Sequence, residues 1–118
     1  MGSVKVVRVY EDRGREGNEH RVLVDRLWPR GVRKDDLDVD HWAKEVAPST
    51  GLRRWYGHVP ERFDEFARRY RSELNDEPAA AAVAELRRLR RRRPLVLLTA
   101  TRDAERSAAE VLRRLLVE

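Results

Sequence analysis

The stretch LVLLTATRDAERSAAEVL, residues 95–112, decides the fold of this chain. Its first part, residues 95–100, is apolar almost throughout and does not alternate. A strand wetted on one face alternates apolar and polar side chains. An unbroken apolar run instead marks a strand covered on both faces, as in parallel sheets. Asp103 then stands where a helix N-cap is expected. Ala104, Ala108, Val111, Leu112 and Leu115 recur at the spacing of one buried helix face after it.

Upstream of this unit the periodicity is helical. Residues 79–92 place Val83, Leu86 and Leu89 inward, and Pro94 stops the helix because it has no N–H and clashes with the preceding turn. Residues 75–78 are a break. Residues 60–74 begin with Pro60, which suits a first turn, and carry Phe63, Phe66, Ala67, Tyr70 and Leu74 along one face. Pro48 interrupts the chain before that, and Ser49 is placed to cap a short helix bearing Leu52, Trp55 and Tyr56. Residues 41–47 fit either a strand or a helix, and residues 29–40 are a connection. Residues 20–28 read as a second strand and residues 4–10, valine-rich and alternating, as the first. The polar loop 11–19, with Gly14 and Gly17, separates those two.

The order strand, strand, helices, strand, helix predicts an α/β fold: a small Rossmann-like sheet of about three to four strands, mostly parallel, packed with about four helices. The loop after the first strand is short for a helical crossover. Either the first two strands pair as a hairpin or the fold is a reduced one. With 118 residues, no internal repeat and no long linker, a single domain spanning 1–118 is expected.

Charged residues make up 40% of the chain, but the apolar ones fall in periodic blocks, so a folded protein is expected rather than a disordered one. The lack of cysteine excludes disulfides, thiolate metal sites and cysteine nucleophiles. No apolar run approaches a membrane span, the start MGSVKVV has no signal-peptide core, and Val6 breaks the myristoylation pattern. A cytoplasmic location and no membrane partner are expected. The net charge of +5 suits an acidic partner such as nucleic acid. It equally suits a compositional habit, since only Lys5, Lys34 and Lys44 are lysines and every other base is arginine.

Ligands of open α/β sheets bind outside the carboxyl ends of the strands. Two strands here turn polar at that end. One gives Asp25, Arg26, Trp28 and Arg30; the other gives Thr99, Thr101, Arg102 and Asp103 just before a helix. A helix N-terminus presents unpaired N–H groups and partial positive charge, and so attracts anions. If the two ends share one cleft, Asp25 can act as a general base or a hydrogen-bond acceptor, and Arg26 and Arg30 can fork onto phosphate or carboxylate. Each residue also fits a structural role: Asp25 in an internal ion pair, Asp103 as a cap.

Other features divide in the same way. Trp28, Trp42 and Trp55 suit base stacking or core packing. The run LRRLRRRRP, residues 86–94, suits nucleic-acid backbone or a solvated helix end favoured by the dipole. Asp36, Asp38 and Asp40 alternate like the start of a calcium loop, yet His41 and Ala47 stand where its glycine and closing glutamate belong. His20, His41 and His58 lack zinc-ligand spacing, and there is neither a phosphate-binding glycine loop nor a G-x-S-x-G. No metal is implied and no cofactor is identified.

The blocks VLVDRLWPRG (22–31), WAKEVAPS (42–49) with LRRWYGH (52–58), FARRYRSEL (66–74) and the closing strand–helix resemble the YeaO-like branch of the DUF488 family, over most of the chain. The resemblance implies a compact Rossmann-like domain and no assigned activity. It also implies that the aspartate–arginine strand end of longer relatives is kept here as Asp25–Arg26. The cysteine/histidine–arginine pattern those relatives carry after the last strand is absent; Thr101, Arg102 and Asp103 stand there, so cysteine chemistry does not carry over. Arg102–Asp103 keeps the charges of the lysine–aspartate pair more usual in the branch. Two functions fit these observations. One is a binding or catalytic domain for an anionic ligand such as a nucleotide, phosphate or nucleic-acid component. The other is a protein- or nucleic-acid-interaction module built on the arginine face.

Overall fold

In a computed structural model that describes residues 2–118, the chain forms an all-parallel sheet of four strands. These are β1 (Val4–Arg8), β2 (His20–Leu23), β3 (His41–Trp42) and β4 (Leu95–Thr99), in the spatial order β1-β4-β2-β3. Four helices accompany them: α1 (Thr50–Tyr56), α2 (Phe63–Glu73), α3 (Ala79–Arg90) and α4 (Ala108–Leu116). The first two strands do not form a hairpin. β4 lies between them, with Leu95 opposite both Val4 and His20. All five β4 residues are buried, so the most apolar strand takes the centre, where both edges and both faces are covered.

The two faces of the sheet are covered differently. Val22, Val24, Leu95 and Leu97 pack against side chains from all four helices. Leu23, Val96 and Leu98 point the other way, where they cluster with Val9 of the 3-10 turn after β1, and among the described residues no α-helix packs on them. The connection 28–40 folds over that face, contributing Trp28, Val32, Leu37 and Val39, and Trp42 of β3 joins them. Trp28 and Trp42 meet edge-to-face at 5.7 Å. The fold is therefore reduced: helices form one layer, and the loop after β2, with Trp28 packed on Trp42 of β3, replaces the second.

A buried arginine anchors the crossover from β1 to β2. Arg21 is 1% exposed on the loop-covered face. Its guanidinium pairs with Asp12 and with Glu19 (2.8 Å), and Nε donates to the carbonyl of Asp38 at 2.6 Å. Nearby, Arg15 forks onto Asp38 (2.9 and 2.8 Å) and reaches Asp40 at 2.9 Å. Two of the alternating aspartates of DDLDVDH, Asp38 and Asp40, thus hold an arginine of the neighbouring loop.

Several element bounds differ from the sequence expectation. β2 ends at Leu23, not at Trp28. The N–H of Val24 still bonds to Leu98 at 3.1 Å, but the Asp25 side chain then turns to the end of β4. Pro29 and Gly31 turn the chain away, with Gly31 at φ 77° and the Val32 N–H donating to Pro29 at 3.3 Å. Residues 41–47 are a two-residue strand followed by a single 3-10 turn, Lys44–Val46. Ser49 does cap α1, accepting from the Leu52 N–H at 3.2 Å. Asp103 does not cap the last helix. It precedes a 3-10 turn, Ala104–Arg106, and pairs with Arg106 at 3.0 Å. Ser107 is the cap of α4, accepting from the Glu110 N–H at 3.1 Å. The buried side of α4 is accordingly Ala109, Val111, Leu112 and Leu116, with Ala108 and Leu115 partly covered and Ala104 outside the helix.

Candidate functional site

The site begins where β2 and β4, adjacent and parallel, run out of apolar residues together. Asp25 follows β2, and its carboxylate reaches back to β4. One oxygen accepts the Thr99 hydroxyl at 2.7 Å and the other accepts the Ala100 N–H at 2.7 Å. Thr99 is 1% exposed, and its oxygen also accepts the Thr101 N–H at 3.2 Å. The Trp42 indole donates to the carbonyl of Asp25 at 2.7 Å, which fixes the backbone as well as the side chain. Burial pushes the Asp25 carboxyl above its usual range. The two hydrogen bonds and the charge of Arg53 oppose that shift without cancelling it.

Beside this junction lies a hollow of about 640 Å³. Residues 24–30 form one wall. Thr101 and the start of α4 form another, and Pro48 with the exposed side of α1 closes it opposite. Arginines from two places converge here: Arg26 and Arg30 after β2, Arg53 and Arg54 from α1. Arg26 Nη2 donates to the Pro48 carbonyl at 3.2 Å, and Arg53 lies 3.4 Å from the Thr50 hydroxyl. Among the described residues none of the four forms a salt bridge. Among the described residues Asp25 is the sole carboxylate lining the hollow, and both its oxygens already serve protein donors.

Of the residues singled out from sequence, Asp25, Arg26, Trp28, Arg30 and Thr101 line this hollow, and Thr99 lies behind it, bonded to Asp25. Asp25 is not in an internal arginine pair. Trp28 lines the hollow while its indole N–H is held by the Val32 carbonyl at 2.6 Å. Arg102 and Asp103 are not brought there. They line a second hollow, of about 460 Å³, beside β1 with Arg8 and Glu11. Trp55 is also elsewhere, flanked by the guanidinium groups of Arg69 (4.4 Å) and Arg62 (5.4 Å). Trp42 packs under Trp28 and carries the Lys44 ammonium over its ring at 4.2 Å.

Sequence reasoning missed Arg53, Arg54 and Tyr10 as lining residues. The signal for the arginines lay in LRRWY. With Leu52 and Tyr56 buried four apart on α1, and Trp55 on the same side, Arg53 and Arg54 must face outward. Among the described residues no group of three or more histidine, aspartate or glutamate side chains is arranged to hold a metal, and no helix is long and apolar enough to cross a membrane.

Comparison with known proteins agrees over nearly the whole length. Residues 3–118 match the family model described as the inactive DUF488-N3 subclade. An uncharacterized protein of Mycobacterium tuberculosis, Rv3073c, is 57% identical over 96% of this chain and 92% of its own. Its counterpart in Mycobacterium bovis, Mb3100c, shows the same identity and coverage. The uncharacterized protein YeaO of Escherichia coli is 37% identical over 93% of each chain. No solved structure matches. The chain belongs to the DUF488 family, within the subclade described as inactive.

Proposed function

We propose that this protein is a small single-domain binding module for an anionic ligand, held in the hollow at the carboxyl ends of β2 and β4. One observation carries the reading. Four arginines without a salt-bridge partner line a hollow whose only carboxylate is already satisfied by Thr99 and Ala100. Guanidinium groups left unpaired beside a concave surface favour phosphate or carboxylate, which they grip through two parallel N–H donors. Binding rather than turnover is favoured because each oxygen of Asp25, the base expected from sequence, already accepts a hydrogen bond from the protein. The description of the matched subclade as inactive points the same way. Thermal unfolding followed with inorganic phosphate, nucleotides and short oligonucleotides tests the reading, on the natural protein and on Arg26→Ala. A ligand that stabilises the first and not the second is expected. Equal stabilisation of both would place the ligand elsewhere.

A second reading rests on a different observation. Arg91, Arg92 and Arg93, at the end of α3, are exposed and in no salt bridge. They suit a nucleic-acid backbone, and such binding weakens steeply with salt. An oligonucleotide affinity no better than about millimolar at low salt would remove this reading.

A further inference from the structure

We infer that the arginine-lined hollow takes an anion joined to a flat apolar body, of the class of an aromatic or nucleoside monophosphate, rather than a bare inorganic ion. The inference rests on the reading of that hollow as an anion site and specifies its ligand.

The observation behind it is where the molecule leaves apolar surface uncovered. Among the described residues only three large hydrophobic side chains are exposed: Tyr10 (50%), Leu27 (71%) and Val117 (40%). Two of them, Tyr10 and Leu27, line this one hollow. Single exposed apolar residues are ordinary, but two beside a concave site rimmed by charge mark a binding surface.

Tyr10 is exposed yet not free to move. It follows the end of β1, and its hydroxyl donates at 2.8 Å to the carbonyl of Arg30, in the loop after β2. That bond reaches across the end of β4, since β4 separates the two strands. The Arg8 guanidinium lies 5.5 Å from the ring centre. An aromatic ring held at its hydroxyl and backed by a cation offers a fixed stacking surface at little entropic cost. Leu27 stands between Arg26, whose guanidinium is drawn to Pro48, and Trp28, whose indole is tied to Val32. Its own side chain is largely exposed.

Size agrees with this reading. Pockets for organic ligands run from about 300 to 1,000 Å³, and a hollow of about 640 Å³ lies within that range. An inorganic phosphate would leave most of it to water. The arginines would hold the phosphate oxygens while Tyr10 and Leu27 cover the ring.

Titration calorimetry with inorganic phosphate, adenosine 5′-monophosphate, phenyl phosphate and adenosine tests the inference. Expected is binding of at least one of the two organic phosphates about tenfold tighter than inorganic phosphate. Leu27→Ala, which shortens a largely exposed side chain, should lower that affinity several-fold and leave inorganic phosphate unchanged. Tyr10→Ala should act likewise, and Tyr10→Phe should retain most of the affinity. Inorganic phosphate binding as tightly as both organic phosphates would overturn the inference and leave the anion site standing. No binding of any phosphate, or adenosine binding as well as its monophosphate, would overturn the anion site too.

Discussion

Asp25 and Thr99, 74 residues apart in the chain, are joined by a 2.7 Å hydrogen bond in which the threonine hydroxyl donates. With the Ala100 N–H on the second carboxylate oxygen, this bond ties the end of β2 to the end of β4. It also explains why a strand gives up its apolar run for an aspartate. The side chain continues, as an acceptor, the pairing that the backbone stops making after Val24.

Removing that acceptor should destabilise the protein. In Asp25→Ala the Thr99 hydroxyl and the Ala100 N–H lose their partner in a largely buried position. An orphaned buried donor costs about 1–3 kcal/mol. Urea unfolding should show a loss of that size with the slope unchanged. An unaltered midpoint would mean that water replaces the carboxylate and that the junction is not a clamp.

The same carboxylate sets a pH dependence. Burial pushes its pKa up, so between the unfolded value of about 3.9 and the raised folded value the native state holds more of the proton than the unfolded chain does. Stability from this group is therefore greatest at low pH and falls as pH rises through that window. The advantage of the natural protein over Asp25→Asn should shrink as pH rises from about 4 toward neutrality. Parallel stability profiles for the two proteins would contradict the burial argument.

The parts of this architecture that depend on neighbours in sequence were open to inspection. The apolar run of β4, the Ser49 cap and the aromatic face of α2 each follow from spacing within one element. Strand order was not open in this way. It depends on the loop 9–19 crossing β4, and that loop is fixed by Arg21, whose partners Asp12, Glu19 and the Asp38 carbonyl are scattered along the chain. In HRVL the arginine looks like the wet side of a strand, whereas it is 1% exposed. The position of Arg102 and Asp103 was hidden for a similar reason. The 3-10 turn before α4 moves the cap to Ser107 and leaves these two residues beside β1.

Arg21 should accordingly be among the most sensitive positions. Its replacement leaves Asp12 and Glu19, with side chains 10% and 8% exposed, without their countercharge. Breaking a buried ion pair from one side costs about 3–5 kcal/mol. Arg21→Met should lose that much stability at neutral pH in urea unfolding and recover part of it near pH 4, where the carboxylates take up protons. Full stability at neutral pH would show that the crossover loop holds without its anchor.

The reassigned cap of α4 gives a paired test. Ser107 accepts the Glu110 N–H at 3.1 Å and donates to the Ala104 carbonyl at 2.7 Å. Ser107→Ala should cost about 0.5–2 kcal/mol, the usual range for a lost N-cap. Asp103→Ala removes only an exposed pair with Arg106 and should have little measurable effect. A larger loss from Asp103→Ala than from Ser107→Ala would restore Asp103 as the helix start.

The two hollows can be told apart through their arginines. Arg53 faces the larger one, 3.4 Å from the Thr50 hydroxyl and outside any salt bridge, so an incoming phosphate or carboxylate meets a guanidinium not yet neutralised. A hydrogen bond to a charged group contributes about 1.5–3 kcal/mol, so Arg53→Ala should weaken anion binding about tenfold or more. Arg53→Lys keeps the charge but not the fork, and should fall between. Arg102 is exposed in the other hollow, where it and Arg8 stand among three acidic side chains, Glu11, Asp103 and Glu105, so that the lining carries no net positive charge to draw an anion. Arg102→Ala should therefore bind the same anion as tightly as the natural protein does. If calorimetry found Arg102→Ala impaired and Arg53→Ala normal, the binding site would belong beside β1 and not at the junction of β2 and β4.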